Sequence, residues 1–212
     1  MSEVKIKIEN LYKIFGPRAK EYTNKVKSGI DKDELLAKYN HVLGLDNINL
    51  DIKEQSIQVV MGLSGSGKST LIRHINRLIE PTEGTVLVDG EDITKLNKAD
   101  LLEFRRNKTG MVFQRFALFP HHNILDNVQF GLSIKNLDKS ESKDKAMYWI
   151  EKVGLTGFEN KFPNQLSGGM QQRVGLARAL AIDPDILLMD EAFSALDPLI
   201  RTDMQNQLLD LQ

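Results

Sequence analysis

Apolar residues follow β-sheet spacing at four places along the chain. Residues 4–8, "VKIKI", alternate apolar and charged positions as in a strand with one buried face. Residues 56–62, "SIQVVMG", and 111–114, "MVFQ", are short apolar runs that end at a glycine and at a glutamine. Residues 185–191, "DILLMDE", contain a continuous apolar run of the kind found in parallel sheets covered on both faces. We predict a strand in each segment.

Helical spacing separates these strands. From Lys68 to Ile79 apolar residues recur at three- and four-residue intervals, and the pattern stops before Pro81. Helical periodicity returns over about 124–152, and Pro198 begins a last helical stretch at the position where proline is best tolerated. Strands that alternate with helices favour a mainly parallel α/β core.

Two further segments have patterns of their own. Residues 84–93, "GTVLVDGEDI", predict a hairpin that turns at Asp89-Gly90. Residues 17–42 are polar and carry the helix-start signal Asp31-x-x-Glu34. We predict that residues 17–42 form an insertion packed on the surface.

Composition limits the class of protein. The 212 residues fit one domain, with an ordinary soluble balance of 41% hydrophobic and 27% charged residues. The net charge of −1 gives no reason to expect a nucleic-acid partner, and the chain has no cysteine for disulfides or thiolate metal sites. The sequence shows neither a signal-peptide pattern nor an apolar run long enough to span a bilayer. We therefore expect a cytoplasmic protein whose connection to a membrane comes through a partner.

The first glycine-rich stretch predicts a phosphate-binding loop. "GLSGSGKST" at 62–70 matches the pattern G-x-x-x-x-G-K-[ST], and a predicted strand precedes it and a predicted helix follows it. Glycines let successive N–H groups point at phosphate oxygens, and the helix N-terminus adds its positive dipole end. Lys68 would reach the β- and γ-phosphates, and the Ser69 hydroxyl would bind Mg²⁺. The alternative is a glycine–serine turn without a ligand. The expected ATP-binding residues are Gly62, Leu63, Ser64, Gly65, Ser66, Gly67, Lys68, Ser69 and Thr70.

Two acids end the apolar run at 185–191. A carboxylate at Asp190, at the end of the predicted strand, could hold Mg²⁺ through its water shell. Glu191 follows directly and could polarise a water molecule for attack on the γ-phosphate. The alternative is a capping pair for the next helix. Together with the loop at 62–70, the acids favour catalysis.

A second glycine-rich stretch, "LSGGMQQR" at 166–173, also begins a predicted helix. Such a start offers N–H groups and a dipole to an anion, although a plain glycine-rich helix start is the alternative. The stretch resembles the signature of ABC-type ATPases. The other motifs of that family stand around it in the family's order: the Walker A loop, "FQ" at 113–114 as the Q-loop, "ILLMDE" at 186–191 as Walker B, and "SALD" at 194–197 as the D-loop.

This resemblance covers nearly the whole chain and implies a fold. The fold is a P-loop NTPase of the α/β class, a RecA-like parallel sheet with a small antiparallel β part, plus an ABC-type helical subdomain. The expected boundaries are about 1–113 and 175–212 for the RecA-like core and about 114–174 for the helical subdomain.

The resemblance also implies a head-to-tail homodimer. Each ATP would lie between the Walker A loop of one copy and the signature of the other, and the γ-phosphate would hold the two copies together. The catalytic residues would be Glu191, Lys68 and Gln114, with Ser69, Gln114 and Asp190 at Mg²⁺. Ser167 and Gly169 would contact the nucleotide of the second copy, and the further expected nucleotide-binding residues are Gly168, Gln171 and Asp197.

A finer resemblance concerns the transported solute. The chain is similar to the ATPase subunit of glycine betaine/proline betaine importers in the segments "VMGLSGSGKST", "NRLIEPTEG" and "LLMDEAFSALDPLIR". The polar insertion at 17–42 also fits that subfamily. This implies an integral-membrane permease as partner, a solute-binding protein in the same system, and a location on the inner face of the cell membrane. The permease would contact the helical subdomain and residues 115–128, which include the apolar residues 116–119. The alternative for residues 116–119 is a loop packed in the core.

Family members stack adenine on an aromatic residue near the first strand. Phe15 in "YKIFG" is our candidate and Tyr12 is the second choice. Either ring could instead belong to the core.

One expected motif is missing from the sequence. The family has a switch histidine after the D-loop helix, on a strand between the Walker A and Walker B strands. The four histidines, at 41, 74, 121 and 122, all precede that position. We therefore expect this chain to be part of a longer subunit, without the regulatory region often appended in the subfamily, poorly stable alone and slow in hydrolysis. The open alternatives are an ATP-binding scaffold without turnover and an ABC ATPase outside transport.

Overall fold

The computed structural model describes residues 3–114, 116–135, 137–193 and 197–210. It divides into two compact units, residues 1–98 and residues 99–212.

The first unit contains a four-stranded antiparallel sheet in the order β2-β1-β3-β4. Its strands are β1 (Val4–Phe15), β2 (Val42–Lys53), β3 (Glu83–Val88) and β4 (Glu91–Asp92). The alternation predicted for 4–8 is confirmed, since Ile6 and Ile8 are buried while Lys5 and Lys7 are not. The hairpin turn is also confirmed: Asp89 and Gly90 have φ of 50° and 79°, as a two-residue primed turn requires.

The insertion forms two short helices and one 3₁₀ turn beside this sheet. They are the 3₁₀ turn Ala19–Tyr22, α1 (Thr23–Lys27) and α2 (Lys32–Tyr39). Asp31 caps α2 as predicted, because its carboxylate accepts a hydrogen bond from the Glu34 N–H at 2.7 Å. Buried Val26 and Leu35 pack with Tyr12 and Ile14 of β1, which attaches the insertion to the sheet through an apolar cluster.

The strand predicted at 56–62 is wrong for this structure. Residues 56–63 form neither helix nor strand, and the side chains of Met61 and Leu63 are 87% and 85% exposed. An apolar run becomes a strand only where a neighbouring strand supplies partners for its N–H and C=O groups. The helix after the loop is confirmed as α3 (Lys68–Ile75), which ends four residues before the predicted limit.

The second unit contains a parallel strand pair and the longer helices. The strands are β5 (Thr109–Val112) and β6 (Ile186–Met189), paired from Thr109 opposite Ile186 to Val112 opposite Met189. The helices, the first of which begins at the last residue of the first unit, are α4 (Lys98–Asn107), α5 (Ile124–Ile134), α6 (Lys139–Lys152), α7 (Gly168–Ala181) and α8 (Pro198–Asp210). Short 3₁₀ turns lie at Ile93–Lys95 in the first unit and Pro163–Gln165 in the second.

The core of the second unit lies among α5, α6 and α7. Its fully buried side chains include Val128, Leu132, Ala146, Ile150 and Val174. The parallel pair, the antiparallel sheet and the helices confirm the α/β class. None of the described helices has the length and apolar character needed to cross a bilayer.

Candidate functional site: a glycine loop, paired acids and a signature turn

The glycine loop of the first unit has the backbone that the motif predicts. Gly65 and Gly67 adopt φ of 77° and 91°, a region that favours glycine. The Lys68 ammonium folds over the loop and donates hydrogen bonds to the carbonyl oxygens of Gly62 and Leu63, both at 2.9 Å. Ser69 and Thr70 follow in the first turn of α3. The loop therefore combines a helix N-terminus with a lysine ammonium, two features that suit a polyphosphate.

Gly44, on β2, joins this loop to the candidate aromatic residue. A Cβ at Gly67 would lie 2.5 Å from the Gly44 carbonyl oxygen, and a Cβ at Gly44 would lie 2.6 Å from the Phe15 ring. Neither position leaves room for a larger residue. The sequence reading missed Gly44, because nothing in "HVLGLD" marks it as a contact between the loop and Phe15.

The two aromatic candidates differ in exposure. The Phe15 side chain is 40% exposed, and the Lys13 ammonium lies 5.0 Å from its ring centroid. Burial lowers the pKa of Lys13, which also donates to the Glu80 carbonyl oxygen at 2.7 Å. Tyr12 is only 6% exposed and packs in the cluster beneath the insertion. A stacking partner needs an accessible face, which Phe15 has and Tyr12 lacks.

In the second unit, the acids lie at the carboxyl end of β6. Asp190 is buried, and its N–H donates to the Val112 carbonyl oxygen at 3.0 Å. Glu191 is exposed and has φ of 51°, which turns the chain at this point. Gln114 Nε2 donates to Glu191 Oε2 at 2.5 Å, across 77 residues of sequence. The structure thus brings together two of the three predicted catalytic residues.

A second glutamine supports Glu191 from α7. Gln172 is 2% exposed, and its Nε2 donates to the Glu191 carbonyl oxygen at 3.3 Å. The sequence reading missed Gln172, because nothing in "GMQQR" indicates which of the two adjacent glutamines is buried. Gln171, the predicted nucleotide contact, donates to the Leu166 carbonyl oxygen at 3.2 Å.

The signature turn begins α7. Ser167 is the N-cap, and its hydroxyl accepts from the Met170 N–H at 3.3 Å. Ser167 and Gly168 are exposed, and Gly169 is half-buried in the first turn. Asp197 caps α8 in the same manner, accepting from the Ile200 N–H at 3.1 Å. Residues 194–196 of the predicted D-loop lie outside the described residues.

The candidate metal ligands are few, which suits Mg²⁺ bound together with water and phosphates. Among the residues that the structure describes, no group of three or more histidine, cysteine or acidic side chains could hold a metal ion. Mg²⁺ usually takes one or two protein oxygens and completes its shell with water and substrate phosphates. Each unit offers one oxygen ligand of that kind: Ser69 at the start of α3 in the first unit, and Asp190 at the end of β6 in the second.

The glycine loop, the paired acids and the signature turn are the parts of an ATP-binding cassette. The sequence model of the ABC transporter family matches residues 45–194, so the chain belongs to that family.

Within the family, the chain is similar to ATP-binding proteins of betaine transport. It is 55% identical over 208 residues to the glycine betaine transport ATP-binding protein OpuAA of Bacillus subtilis, covering 98% of this chain and 50% of that protein. It is 54% identical over 209 residues to the glycine betaine/proline betaine protein ProV of Escherichia coli, covering 99% of this chain and 52% of that protein. The chain therefore spans about half the length of the curated relatives it matches. The predicted resemblance to betaine importer ATPases is confirmed.

A solved cassette has the same fold. The dimeric MJ0796 cassette, in a post-hydrolysis state bound to ADP and Pi, superimposes with a TM-score of 0.81 at 36% identity. The match covers 96% of this chain and 81% of that one. This likeness confirms the predicted P-loop fold of the ABC type.

Proposed function

We propose that this chain is the ATP-binding part of an ABC importer subunit that hydrolyses ATP to drive uptake of glycine betaine, proline betaine or a related osmoprotectant. The main observation that supports this proposal is the position of Glu191. Its carboxylate lies beyond the end of a parallel strand, is hydrogen bonded by Gln114, and follows the buried Asp190. A carboxylate in this position can accept a proton from water as the water attacks a phosphorus atom.

The remaining residues divide the work of binding MgATP. Lys68 would exchange its bonds with the Gly62 and Leu63 carbonyl oxygens for bonds with phosphate oxygens. Asp190, Ser69 and Gln114 would hold Mg²⁺, which supplies positive charge to the phosphates when bound. The loop N–H groups of 62–70 add further donors.

Phe15 is our choice for the adenine contact. Its ring is accessible and lies beside Gly44, which in turn contacts Gly67 of the loop. Adenine and triphosphate would thus occupy neighbouring positions in the first unit. The burial of Tyr12 argues against the second candidate.

The signature turn would act on the nucleotide of a second copy. The exposed Ser167 and Gly168 present a helix N-terminus with a hydroxyl, which is a suitable receptor for an anion. The dimeric state of the similar MJ0796 cassette supports the head-to-tail homodimer. Gly169, Gln171 and Asp197 belong to the same proposed surface.

The transported solute is proposed from the relatives' names. Three of the matched proteins, at 54–55% identity, are named for transport of glycine betaine, proline betaine or carnitine. The partners would be an integral-membrane permease, contacting residues 115–128 and the helical subdomain at about 114–174, and a solute-binding protein. The protein would then lie on the cytoplasmic face of the membrane, and no nucleic acid would be involved.

Reconstitution tests this function. The full-length subunit is assembled with its permease and binding protein in lipid vesicles that contain MgATP, and uptake of radiolabelled solutes is measured. We expect ATP-dependent uptake of glycine betaine or proline betaine and no uptake of methionine, which serves as the control solute. Uptake of methionine alone, or ATP hydrolysis that no betaine stimulates, would contradict the proposal.

A further inference from the structure

Asn127 of α5 fixes the backbone of the loop that precedes its own helix. The side chain is completely buried, at 0% exposure. Its Oδ1 accepts from the Phe119 N–H at 2.8 Å, and its Nδ2 donates to the carbonyl oxygens of Phe119, His122 and Asn123 at 3.1, 3.0 and 2.9 Å. One amide thus bonds four backbone groups of the loop, among which the Phe119 and Asn123 carbonyl oxygens also accept from the backbone N–H groups of His122 and Asn127.

Arg178 of α7 bonds the first two described residues of the same loop. Its Nη1 donates to the Ala117 carbonyl oxygen at 2.7 Å and its Nη2 to the Phe116 carbonyl oxygen at 3.1 Å. Phe116 and Ala117 both adopt left-handed φ, 46° and 51°, which costs free energy in residues with a Cβ. Burial lowers the pKa of Arg178, so the guanidinium is desolvated to reach these carbonyls. Charge-assisted bonds from a planar fork offset both costs.

Residues 116–122, here called the clamped segment, also touch the signature helix near its start. A Cβ at Gly168 would lie 3.7 Å from Phe116 Cζ, and one at Gly175 would lie 3.5 Å from the Phe116 carbonyl oxygen. Phe116 therefore extends along α7 from the signature turn towards Arg178. The two small residues on this face of α7 allow that close approach.

We propose that Asn127 and Arg178 are positioning residues that make the clamped segment rigid against α7, so that a displacement of the segment moves the signature turn at Ser167–Gly169. A free loop would absorb such a displacement, whereas a segment bonded at both ends transmits it. The inference rests on the proposed function, in which the permease contacts residues 115–128. It adds two side chains that hold this segment in place from within the protein, neither of which belongs to the proposed ATP-binding residues.

Two variants and two matched controls test the clamp in the full-length subunit. Asn127→Ala removes all four bonds, and Arg178→Lys keeps the charge but loses the fork. Asn160→Ala and Arg106→Lys make the same changes at exposed positions of the second unit. Amide hydrogen exchange over residues 116–122 is measured in the free subunit. ATP hydrolysis is measured both in the free subunit and in vesicles with the permease and its solute.

If the clamp exists, the variants should change hydrogen exchange and permease-stimulated hydrolysis but leave the hydrolysis rate of the free subunit nearly unchanged. Exchange over 116–122 should accelerate by about tenfold or more in Asn127→Ala, since buried hydrogen bonds are lost. The ratio of permease-stimulated to free hydrolysis should fall by about fivefold or more in both variants, which is within the usual range of coupling between sites. The hydrolysis rate of the free subunit should stay within about twofold, because neither residue is among the proposed ATP-binding or catalytic residues. The controls should match the parent protein.

Three outcomes would overturn the clamp. Unchanged exchange would mean that the segment is not held by Asn127. An unchanged ratio with faster exchange would mean that the rigidity transmits nothing, and an equal loss of free and stimulated hydrolysis would mean a merely structural role. If the parent protein itself shows no stimulation by the permease, the proposed function fails, whereas the exchange result still decides whether the clamp exists.

Discussion

Glu191 takes its position from two glutamines that lie far from it in sequence. Gln114 bonds its carboxylate, and Gln172 bonds its backbone carbonyl from α7. The left-handed φ of Glu191 then needs this support, because a residue with a Cβ rarely adopts that conformation. The arrangement orients one carboxylate oxygen by a hydrogen bond and leaves the side chain exposed to water.

Replacing this carboxylate tests its role as the base. In the full-length protein, Glu191→Gln should lower the rate of ATP hydrolysis by about 10²- to 10⁴-fold, the usual contribution of a positioned base. ATP binding should persist, since the amide is isosteric. Phosphate release and equilibrium binding of a fluorescent ATP analogue measure the two effects. Glu151→Gln, an exposed change on α6, is the control, and normal turnover in Glu191→Gln would exclude the residue as the base.

His74 of α3 makes stability sensitive to acid. Its Nδ1–H donates to the Thr70 carbonyl oxygen at 2.7 Å, and its Nε2 is buried without a hydrogen-bond partner among the described residues. Burial is the main cause that lowers the pKa of His74 below its ordinary value, with a further contribution from Lys13. The neutral ring is therefore the form that the fold accepts.

The sign of the pH dependence follows from this shift. The unfolded chain binds the proton at about pH 6.5, and the folded chain binds it only at lower pH. The free energy of unfolding should therefore be fully maintained above pH 6.5 and fall as the pH decreases from there towards the folded pKa of His74. Urea denaturation at several pH values should show a shallower fall in His74→Gln. His121→Gln is the control, and parallel curves for His74→Gln and the parent would disprove the assignment.

At the scale of elements, the insertion is held by few side chains. α1 and α2 contribute Val26 and Leu35 to the apolar cluster with Tyr12 and Ile14 of β1. α2 alone is too short to be stable without packing, so its attachment depends on burial of this one face. Leu35 is 0% exposed, and its neighbour Leu36 is 49% exposed.

These adjacent leucines provide a matched test of the cluster. Leu35→Ala should reduce the free energy of unfolding by about 2–5 kcal/mol, the range for a buried leucine that leaves a cavity. Leu36→Ala should change it by less than about 0.5 kcal/mol, as for an exposed position. Chemical denaturation of the two variants and the parent measures the difference. Similar losses in both would show that the insertion does not pack through Leu35.

Elements with local signals were predictable from the sequence. Asp31 and Ser167 cap helices within three residues of their own position, and Asp89-Gly90 turns a hairpin, so a short window of sequence contains the whole cause. The segment 56–62 shows the limit of this reasoning. Its composition favours a strand, but a strand also needs a partner, and the partner lies outside any local window.

At the scale of the whole molecule, the proposed assembly is a dimer that depends on nucleotide. With MgATP, full-length Glu191→Gln should accumulate as a dimer, because ATP is bound but not hydrolysed. Adding Ser167→Glu should weaken that dimer by about tenfold or more, since a carboxylate would face the triphosphate of the second copy. Sedimentation velocity measures both. Ser140→Glu, at an exposed position of α6, is the control, and an equally stable dimer with Ser167→Glu would contradict the sandwich arrangement.

The candidate site was predictable in its chemistry and only partly in its geometry. The glycine loop, the paired acids and the signature could be read from their residue types, because phosphate, Mg²⁺ and water each require particular groups. The choice between Phe15 and Tyr12 stayed open in the sequence, since both are aromatic and three residues apart. The burial of Tyr12 beneath the insertion leaves Phe15 as the accessible ring, and no local feature of "YKIFG" encodes that burial.

The sequence by itself determined the local conformations and the functional groups, because caps, turns and glycine loops depend on residues a few positions apart. Tertiary structure alone decided which distant groups meet: Gln114 with Glu191, Gly44 with Gly67, and Arg178 with the clamped segment. The physical reason is that polar groups replace hydrogen bonds to water with hydrogen bonds to each other only after the folded chain has brought them together. Residue type states what a side chain can bond, and the packed chain determines which partner it finds.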